Sequence, residues 1–518
     1  MQIDFKNETM PISELKWNRS VTLMAEGDVI VPDIKPDIHE ILLSEAHPVI
    51  TTQNISGGKL NLLGIATVHI VYLPEPDGLP KSIETRFDFQ ESLELPDNDP
   101  MEISVNASLE HIEFSLINSR KLNIKTAISV NAQGYKKQVL TLLTDVHPDS
   151  PLKIRKKHLS TFRIVADTKR DILMTESLEV PSAKPDIDEI IRLSVKPRKG
   201  ECKIGSGNIL LKGSLLIDTL YCGLDAEAGV QHMEHELAFS ELQDVEELDE
   251  DCLCNVTYDV KNVYYTVKED ANGEDRIIAL DVILQARITA SKTQSSEMID
   301  DCYSIVGVAQ PLMQTMPLDE LLSEGISHKS IKEILTVPDG VPAAGAVYNL
   351  QCKPKITEVS IADEAITIQG KLAAFVLYGC VDSDKPMYSL IREFDFTHTV
   401  PVEGITGSAH CECGVTEQGV SFTLNAASEI ELRCVLEFYV RAVDRKEITL
   451  LTGCDIEEDN IPTDSPSMVI YFVQKGDTLW DIAKHYKTDC DRLTTLNKLE
   501  NAPIFPGQKI LIPRPAQP

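Results

Sequence analysis

Apolar and polar residues alternate with period two along most of this chain. In LNLLGIATVHIVY, one parity holds Leu60, Leu62, Gly64, Ala66, Val68, Ile70 and Tyr72. The same parity returns in ILLKGSLLIDTLY, from Ile209 through Gly213 to Tyr221, and in ITIQGKLAAFVLY, from Ile366 through Gly370 to Tyr378. The opposite parity is more polar and includes Asn61, His69, Lys212, Asp218, Gln369 and Lys371. Alternation of this length predicts half-buried strands. A glycine inside such a strand predicts a bulge or bend, where the missing Cβ relieves crowding. Further alternating runs, LNIKTAISVNA, IIALDVILQARITA and IELRCVLEFYVRA, add strands to each region. SHKSIKEIL, near Ser327, departs from this pattern: Ile331, Ile334 and Leu335 fit a short helix.

The alternating runs are copies of one another. Glu26 opens EGDVIVPDIKPDIHEIL and Glu176 opens ESLEVPSAKPDIDEII, both with Val-Pro and then Lys-Pro-Asp-Ile. A worn third copy at Glu333 keeps Val337, Pro338 and Pro342. Pro32, Pro181 and Pro338 are 149 and 157 residues apart, and Gly64, Gly213 and Gly370 keep those same offsets. Phe-Asp-Phe at Phe87–Phe89 and Phe394–Phe396, with Phe239 between them, holds nearly the same register. The fold expected is therefore multidomain and mainly β: three tandem antiparallel β-sandwich or barrel-like repeats, then a small β-α-α-β module. The expected limits are 1–155, 156–315 and 316–453 for the repeats, 454–467 for an acidic linker and 468–518 for the module. Units of about 150 residues are whole domains, expected to follow one another like beads in series.

Composition narrows the function. The 518 residues are 42% hydrophobic and 25% charged, so most of the chain can bury a core. Acidic residues outnumber basic ones 81 to 49, for a formal charge of −32. That balance disfavours binding to nucleic acid or to an anionic membrane. MQIDFKNETM lacks a basic and then apolar leader, and no run approaches a membrane span, so a cytoplasmic protein without integral membrane contact is expected. All twelve cysteines follow residue 201 and are expected as free thiols.

Candidate chemistry is sparse. Lys35, Asp37, Lys184 and Asp186 could form a repeated recognition patch, but proline and aspartate at that spacing make a turn. The pairs Cys252/Cys254 and Cys411/Cys413 lack the usual spacing of zinc ligands and are read as incidental thiols. HMEH at His232–His235 lacks the spacing of the helical zinc motif and is read as surface. No phosphate loop, dinucleotide fingerprint or nucleophile elbow is present in the sequence. A non-enzymatic protein is expected, with no catalytic residue, no metal and no cofactor.

The C-terminal module is the sharpest signal. YFVQKGDTLWDIAKHYKTDCDRLTTLNKLENAPIFPGQKILIP, residues 471–513, reads as strand, capped helix, second helix and strand. Trp480 is read as a core residue, as a domain this small requires. The module carries seven basic and five acidic residues, +2 against about −34 for the rest of the chain. Its V-x-x-GDTLW-x-IA-x-x-Y, Leu496-Asn497 and PGQ-x-I-x-IP closely resemble a LysM domain. The resemblance implies a shallow groove for N-acetylglucosamine-containing glycan. It would lie between Gly476, Asp477, Thr478 and Leu479 on one loop and Ile504, Phe505, Pro506 and Gly507 on the other.

Three repeats with these landmarks, followed by one LysM, resemble the clostridial spore-coat morphogenetic proteins built from SPOCS domains and LysM. That resemblance implies a mother-cell protein at the forespore surface that helps the coat encase the spore. It also implies that the LysM domain docks on the coat-basement ATPase, stage IV sporulation protein A, alongside other coat proteins. The alternative from the same residues is a peptidoglycan- or GlcNAc-glycan-binding protein of spore cortex or cell wall.

Overall fold

The computed structural model describes residues 3–513 apart from 76–77, 97–99, 225–228, 363, 382, 384, 408, 427–428, 459–467 and 500–502. Unit 1 holds β1 (Phe5–Ile30), β2 (Glu40–Ser56), β3 (Lys59–Leu73), β4 (Lys81–Glu94), β5 (Glu102–Asn118) and β6 (Lys121–Val146). They form two antiparallel sheets, ordered β1-β6-β5 and β2-β3-β4. Unit 2 holds β7 (Leu152–Glu179), β8 (Ile187–Lys199), β9 (Lys203–Gly205), β10 (Asn208–Gly223), β11 (Val230–Asp244), β12 (Leu253–Glu269) and β13 (Asp275–Ser304). Its sheets are β7-β13-β12 and β8-β10-β11, with β9 added beside β10. Unit 3 holds β14 (Gly307–Thr336), β15 (Ala344–Ala362), β16 (Ala365–Cys380), β17 (Met387–Pro401), β18 (His410–Ala426) and β19 (Glu429–Glu458). Its sheets, β14-β19-β18 and β15-β16-β17, repeat the topology of unit 1. The sheets are open, so each unit is a sandwich rather than a barrel. Apolar side chains from the two facing sheets fill its core, as in unit 3, where Ile366, Ile368 and Tyr378 meet Leu432, Leu436 and Phe438.

The segment expected to be a short helix, SHKSIKEIL, is the end of strand β14. Ile331 and Leu335 are buried and Ile334 is 53% exposed. A four-residue spacing is two strand periods as well as one helical turn. Pairing with β19, from Ser327↔Phe438 to Leu335↔Ile430, decides between them.

The three sequence landmarks of each copy meet in space. The backbone N–H of Lys35 bonds the carbonyl of Pro32, that of Lys184 bonds Pro181, and that of Val341 bonds Pro338, which closes the same turn three times. Gly64, Gly213 and Gly370 stand directly opposite Phe89, Phe239 and Phe396 on the neighbouring strand. A Cβ on any of these glycines would lie 2.2–2.6 Å from the tip of that phenylalanine ring. The glycine therefore makes room for the ring across the ladder. The expected bulge lies on the facing strand in two of the copies, between Ile50 and Thr52 and between Ile356 and Glu358.

The units do not follow one another like beads; they pack around a common centre at two levels. At one level, Leu42, Leu43, Val71 and Leu73 of unit 1 meet Ile191, Leu220 and Cys222 of unit 2 and Leu377 and Met387 of unit 3. Beside the conserved-spacing tyrosine, each glycine strand becomes apolar on both faces, and the second face fills this junction. At the other level, the long strand pairs β1–β6, β7–β13 and β14–β19 continue past their third strand as two-stranded ribbons. Met10, Ile12 and Leu140 of the first ribbon pack with Leu159 and Met298 of the second and Leu318 and Leu450 of the third. The connections between units are short, 147–151 and 305–306, and strands run across positions 155/156 and 315/316. Of the expected linker, 454–458 ends β19 and 459–467 lie outside the described residues.

A polar hub joins the units at the first level. Arg192 of β8 is 3% exposed. It donates to Glu45 of unit 1 at 2.8 and 3.2 Å and to Asp218 of its own unit at 3.1 Å. Gln351 of unit 3 donates to the same Glu45 at 2.6 Å. Burial raises the cost of ionising Glu45, but Arg192 outweighs it and the carboxyl is held down at about 2.

Candidate binding groove

The C-terminal module consists of β20 (Met468–Phe472), α1 (Leu479–His485), α2 (Cys490–Asn497) and β21 (Lys509–Pro513), with β20 and β21 paired antiparallel. Thr478 caps α1: its hydroxyl accepts from the Asp481 N–H at 3.1 Å and donates to the Asp481 carboxylate at 2.6 Å. Asp489 caps α2 by accepting from the Asp491 N–H at 2.9 Å. Val473, Ile482, Ala483, Leu493, Ile510 and Ile512 form the core, with Leu479 and Ile504 packed against it.

The two loops expected to form a groove lie side by side. The Gly507 N–H donates to the Val473 carbonyl at 2.8 Å, and the Val473 N–H to the Gln508 carbonyl at 3.0 Å. Gly476 and Gly507 take φ of +98° and +85°, left-handed values that side chains rarely adopt. Of the eight expected residues, Asp477 and Thr478 have side chains committed to the fold. The Asp477 carboxylate accepts from the Tyr471 hydroxyl at 2.6 Å and the Gln474 N–H at 2.8 Å, which holds it below the usual carboxylate range. Leu479 and Ile504 are half-buried. Gly476, Pro506 and Gly507 are exposed, and Phe505 is 64% exposed. The two loops thus present exposed backbone at Gly476, Pro506 and Gly507 beside the exposed Phe505 ring.

Another face of the module is docked on the second ribbon. The Trp480 indole N–H donates to Asp301 at 2.7 Å, and Lys484 reaches both oxygens of that carboxylate at 2.7 and 2.9 Å. Tyr303 donates to the Thr488 carbonyl at 2.7 Å and packs edge-on against Trp480, with ring centroids 4.9 Å apart. Arg155, held by Asp300, lies over the Trp480 ring at 5.6 Å, and Lys153 pairs with Asp489. Burial disfavours the charged form of Asp301, but Lys484 and Trp480 prevail and hold it below its ordinary value. Trp480 is therefore half-buried, packed against the edge of the module's core and at the same time part of the seam with unit 2. Trp480 and Lys484, spaced i, i+4 beside the apolar stripe of α1, are the sequence signal for this second face.

The remaining candidates resolve into structure. Asp37 and Asp186 pair with Arg120 and Arg276. Those guanidiniums also donate to the carbonyls of Pro32 and Pro181. Lys35 crosses to Glu189 of unit 2 at 3.0 Å. The C-x-C cysteines face the sandwich cores, and burial pushes the Cys254 and Cys413 thiols up to about 12. HMEH is only partly surface: His232 is half-buried and its Nε2 lies 3.0 Å from Asp218.

Comparison with known proteins matches this architecture. The model described as SipL, SPOCS domain matches residues 37–117, 186–268 and 344–425, one copy per sandwich. The LysM domain model matches residues 471–513. The chain belongs to the SipL-like SPOCS–LysM family. SPOCS and LysM are binding and scaffold domains without catalytic function. Two curated proteins are similar over short stretches. YkzQ of Bacillus subtilis (strain 168), an uncharacterised protein, is 49% identical over 43 residues, 8% of this chain and 57% of its own length. The spore coat assembly protein ExsA of Bacillus cereus is 52% identical over 48 residues, 9% of this chain and 8% of its own length. The chain thus spans little more than half of one relative and under a tenth of the other. No solved structure matches this SPOCS–LysM chain. Among the described residues, no helix is long and apolar enough to cross a membrane.

Proposed function

We propose that this SPOCS–LysM protein is a non-enzymatic spore-coat morphogenetic scaffold. Its three sandwiches, 5–146, 152–304 and 307–458, form one platform that presents the LysM groove outward. The observation that carries this reading is the two-faced LysM domain. Trp480, Lys484 and Asp489 are committed to the platform, whereas Gly476, Phe505, Pro506 and Gly507 are left open. A LysM domain held in one orientation by its helical face suits an adaptor whose body must recruit other coat proteins. The name of the ExsA relative supports a place in coat assembly. In this reading the groove and its rim dock on the coat-basement ATPase, stage IV sporulation protein A, at the forespore surface in the mother cell.

The exposed Phe505 ring beside the open Gly476, Pro506 and Gly507 supports a second reading, in which the groove takes GlcNAc-containing glycan of cortex or wall. Calorimetry on the full chain separates the two, with chitin or peptidoglycan oligosaccharides in one titration and the basement ATPase in the other. Binding to the ATPase that Phe505→Ala weakens, with no heat from the sugars, is the expected result. Sugar binding without ATPase binding overturns the scaffold reading in favour of the glycan reading.

A further inference from the structure

Where units 2 and 3 meet, a cavity of about 360 Å³ lies beside the polar hub. Asp218, His232 and Glu234 line it, and each offers one ligand atom within 4.8 Å of the others. Their arrangement follows from the ladder. His232 and Glu234 alternate onto one face of β11, and Glu234 stands directly opposite Asp218 of β10. Like charges facing each other across a ladder are destabilising unless a cation lies between them.

A second, independent feature points into the same place. Asn349 of β15 comes from unit 3, lines the cavity and is 5% exposed. Its Nδ2 lies 3.4 Å from Asp218 Oδ2, and its buried Oδ1 has no partner. A buried carbonyl oxygen left unpaired is destabilising, and a bound cation would relieve it. Rotation of the amide would turn that oxygen towards Asp218, where a cation could use it.

We infer that Asp218, His232, Glu234 and Asn349 form a binding site for a divalent transition ion such as Zn²⁺ or Mn²⁺, joining units 2 and 3. His232 Nε2 and Asp218 Oδ2 are 3.0 Å apart. An ion bound to both at about 2.0–2.2 Å, with an angle near 90–110°, holds the two atoms about 3 Å apart. Arg192 holds the other oxygen of Asp218, so Oδ2, which His232 and Asn349 face, is the one an ion would share with them. The lining is acidic by one charge, with Asp218, Glu234, Glu417 and Glu437 against Lys196, Arg198 and Lys199, a balance that favours a cation. One imidazole with oxygen donors suits the borderline ions of the first transition row.

The test uses the full chain, stripped with chelator and titrated with Co²⁺. The expected result is one equivalent bound with weak visible d–d absorption, no thiolate-to-cobalt charge-transfer band, displacement by Zn²⁺ and a raised melting temperature. His232→Ala should weaken binding at least about tenfold, as loss of a metal-supporting group typically does. Glu234 is exposed, so Glu234→Gln should fold normally and still weaken binding several-fold. No uptake, a thiolate band from the free cysteines, or unchanged affinity in Glu234→Gln overturns the inference.

Discussion

The hydroxyl of Tyr72 donates to the carbonyl of Pro36 at 2.9 Å, across 36 residues of sequence. Tyr221 does the same to Pro185 at 2.9 Å and Tyr378 to Pro342 at 3.2 Å, each again 36 residues apart. The proline of the first landmark is thus fastened by the tyrosine of the second, in all three copies. The worn third copy loses its charges but keeps the proline carbonyl and its donor. Arg120 and Arg276 add a second clamp to the first two turns.

Tyr221→Phe should destabilise the protein by about 1 kcal/mol, because a half-buried carbonyl loses its only described side-chain donor. Urea unfolding of the full chain measures it. An unchanged midpoint would show that water replaces the hydroxyl.

The glycine–phenylalanine pairs predict different rescues. At Gly64 the atoms nearest an added Cβ all belong to the Phe89 ring, whereas at Gly213 the Arg198 carbonyl also lies 2.5 Å away. Gly64→Ala should cost about 1–3 kcal/mol as overpacking and be largely relieved by adding Phe89→Leu. Gly213→Ala should not be relieved by Phe239→Leu, because backbone cannot move aside. Double-mutant cycles on melting temperature decide it.

Asp301→Ala should release the LysM domain from the platform. It removes a charge-assisted contact worth on the order of 2 kcal/mol and leaves the Trp480 indole unpaired. Faster proteolysis before residue 468 and a larger radius of gyration are the expected readouts. Asp301 has a folded pKa below its ordinary 3.8, so its stabilisation is complete above that value. It is lost only as pH falls through the lower folded value, so docking should persist at pH 5 and weaken below about pH 4.

The hub predicts acid lability in two stages. His69 stands opposite Glu45 on the ladder, and burial lowers it from 6.5 to about 4. Unfolding therefore takes up a proton between those values, and stability falls as pH drops from 6.5 towards 4, by on the order of 3 kcal/mol. Glu45, lowered from 4.5 to about 2, gives a second loss of the same sign below pH 4.5. His69→Asn should remove the first stage and spare the second, as followed by melting temperature against pH. Arg192→Ala, which strands two buried carboxylates, should cost about 3–5 kcal/mol at neutral pH.

Much of this protein is written locally. Alternation with period two fixes the strands, and the repeated spacings of Pro32, Gly64 and Phe89 with their counterparts fix three copies of one sandwich. The module's strand–helix–helix–strand order follows from caps at Thr478 and Asp489 and from its short periodic helices. Each of these depends on neighbours within a few residues or on a ladder the pattern already implies.

What the sequence left open depends on pairing between distant surfaces. Ile331 and Leu335 fit either period until β19 lies beside them. Val71, Leu220 and Leu377 are ordinary apolar residues until three units bring them to one junction. Trp480 suits a small core equally well, and only the carboxylate of Asp301, nearly 180 positions earlier, draws its indole outward. Asp218 and Asn349 are unremarkable apart, and the cavity they share exists only where two sandwiches touch. Burial and charge at such places are sums over the whole assembly, and no stretch of chain carries them alone.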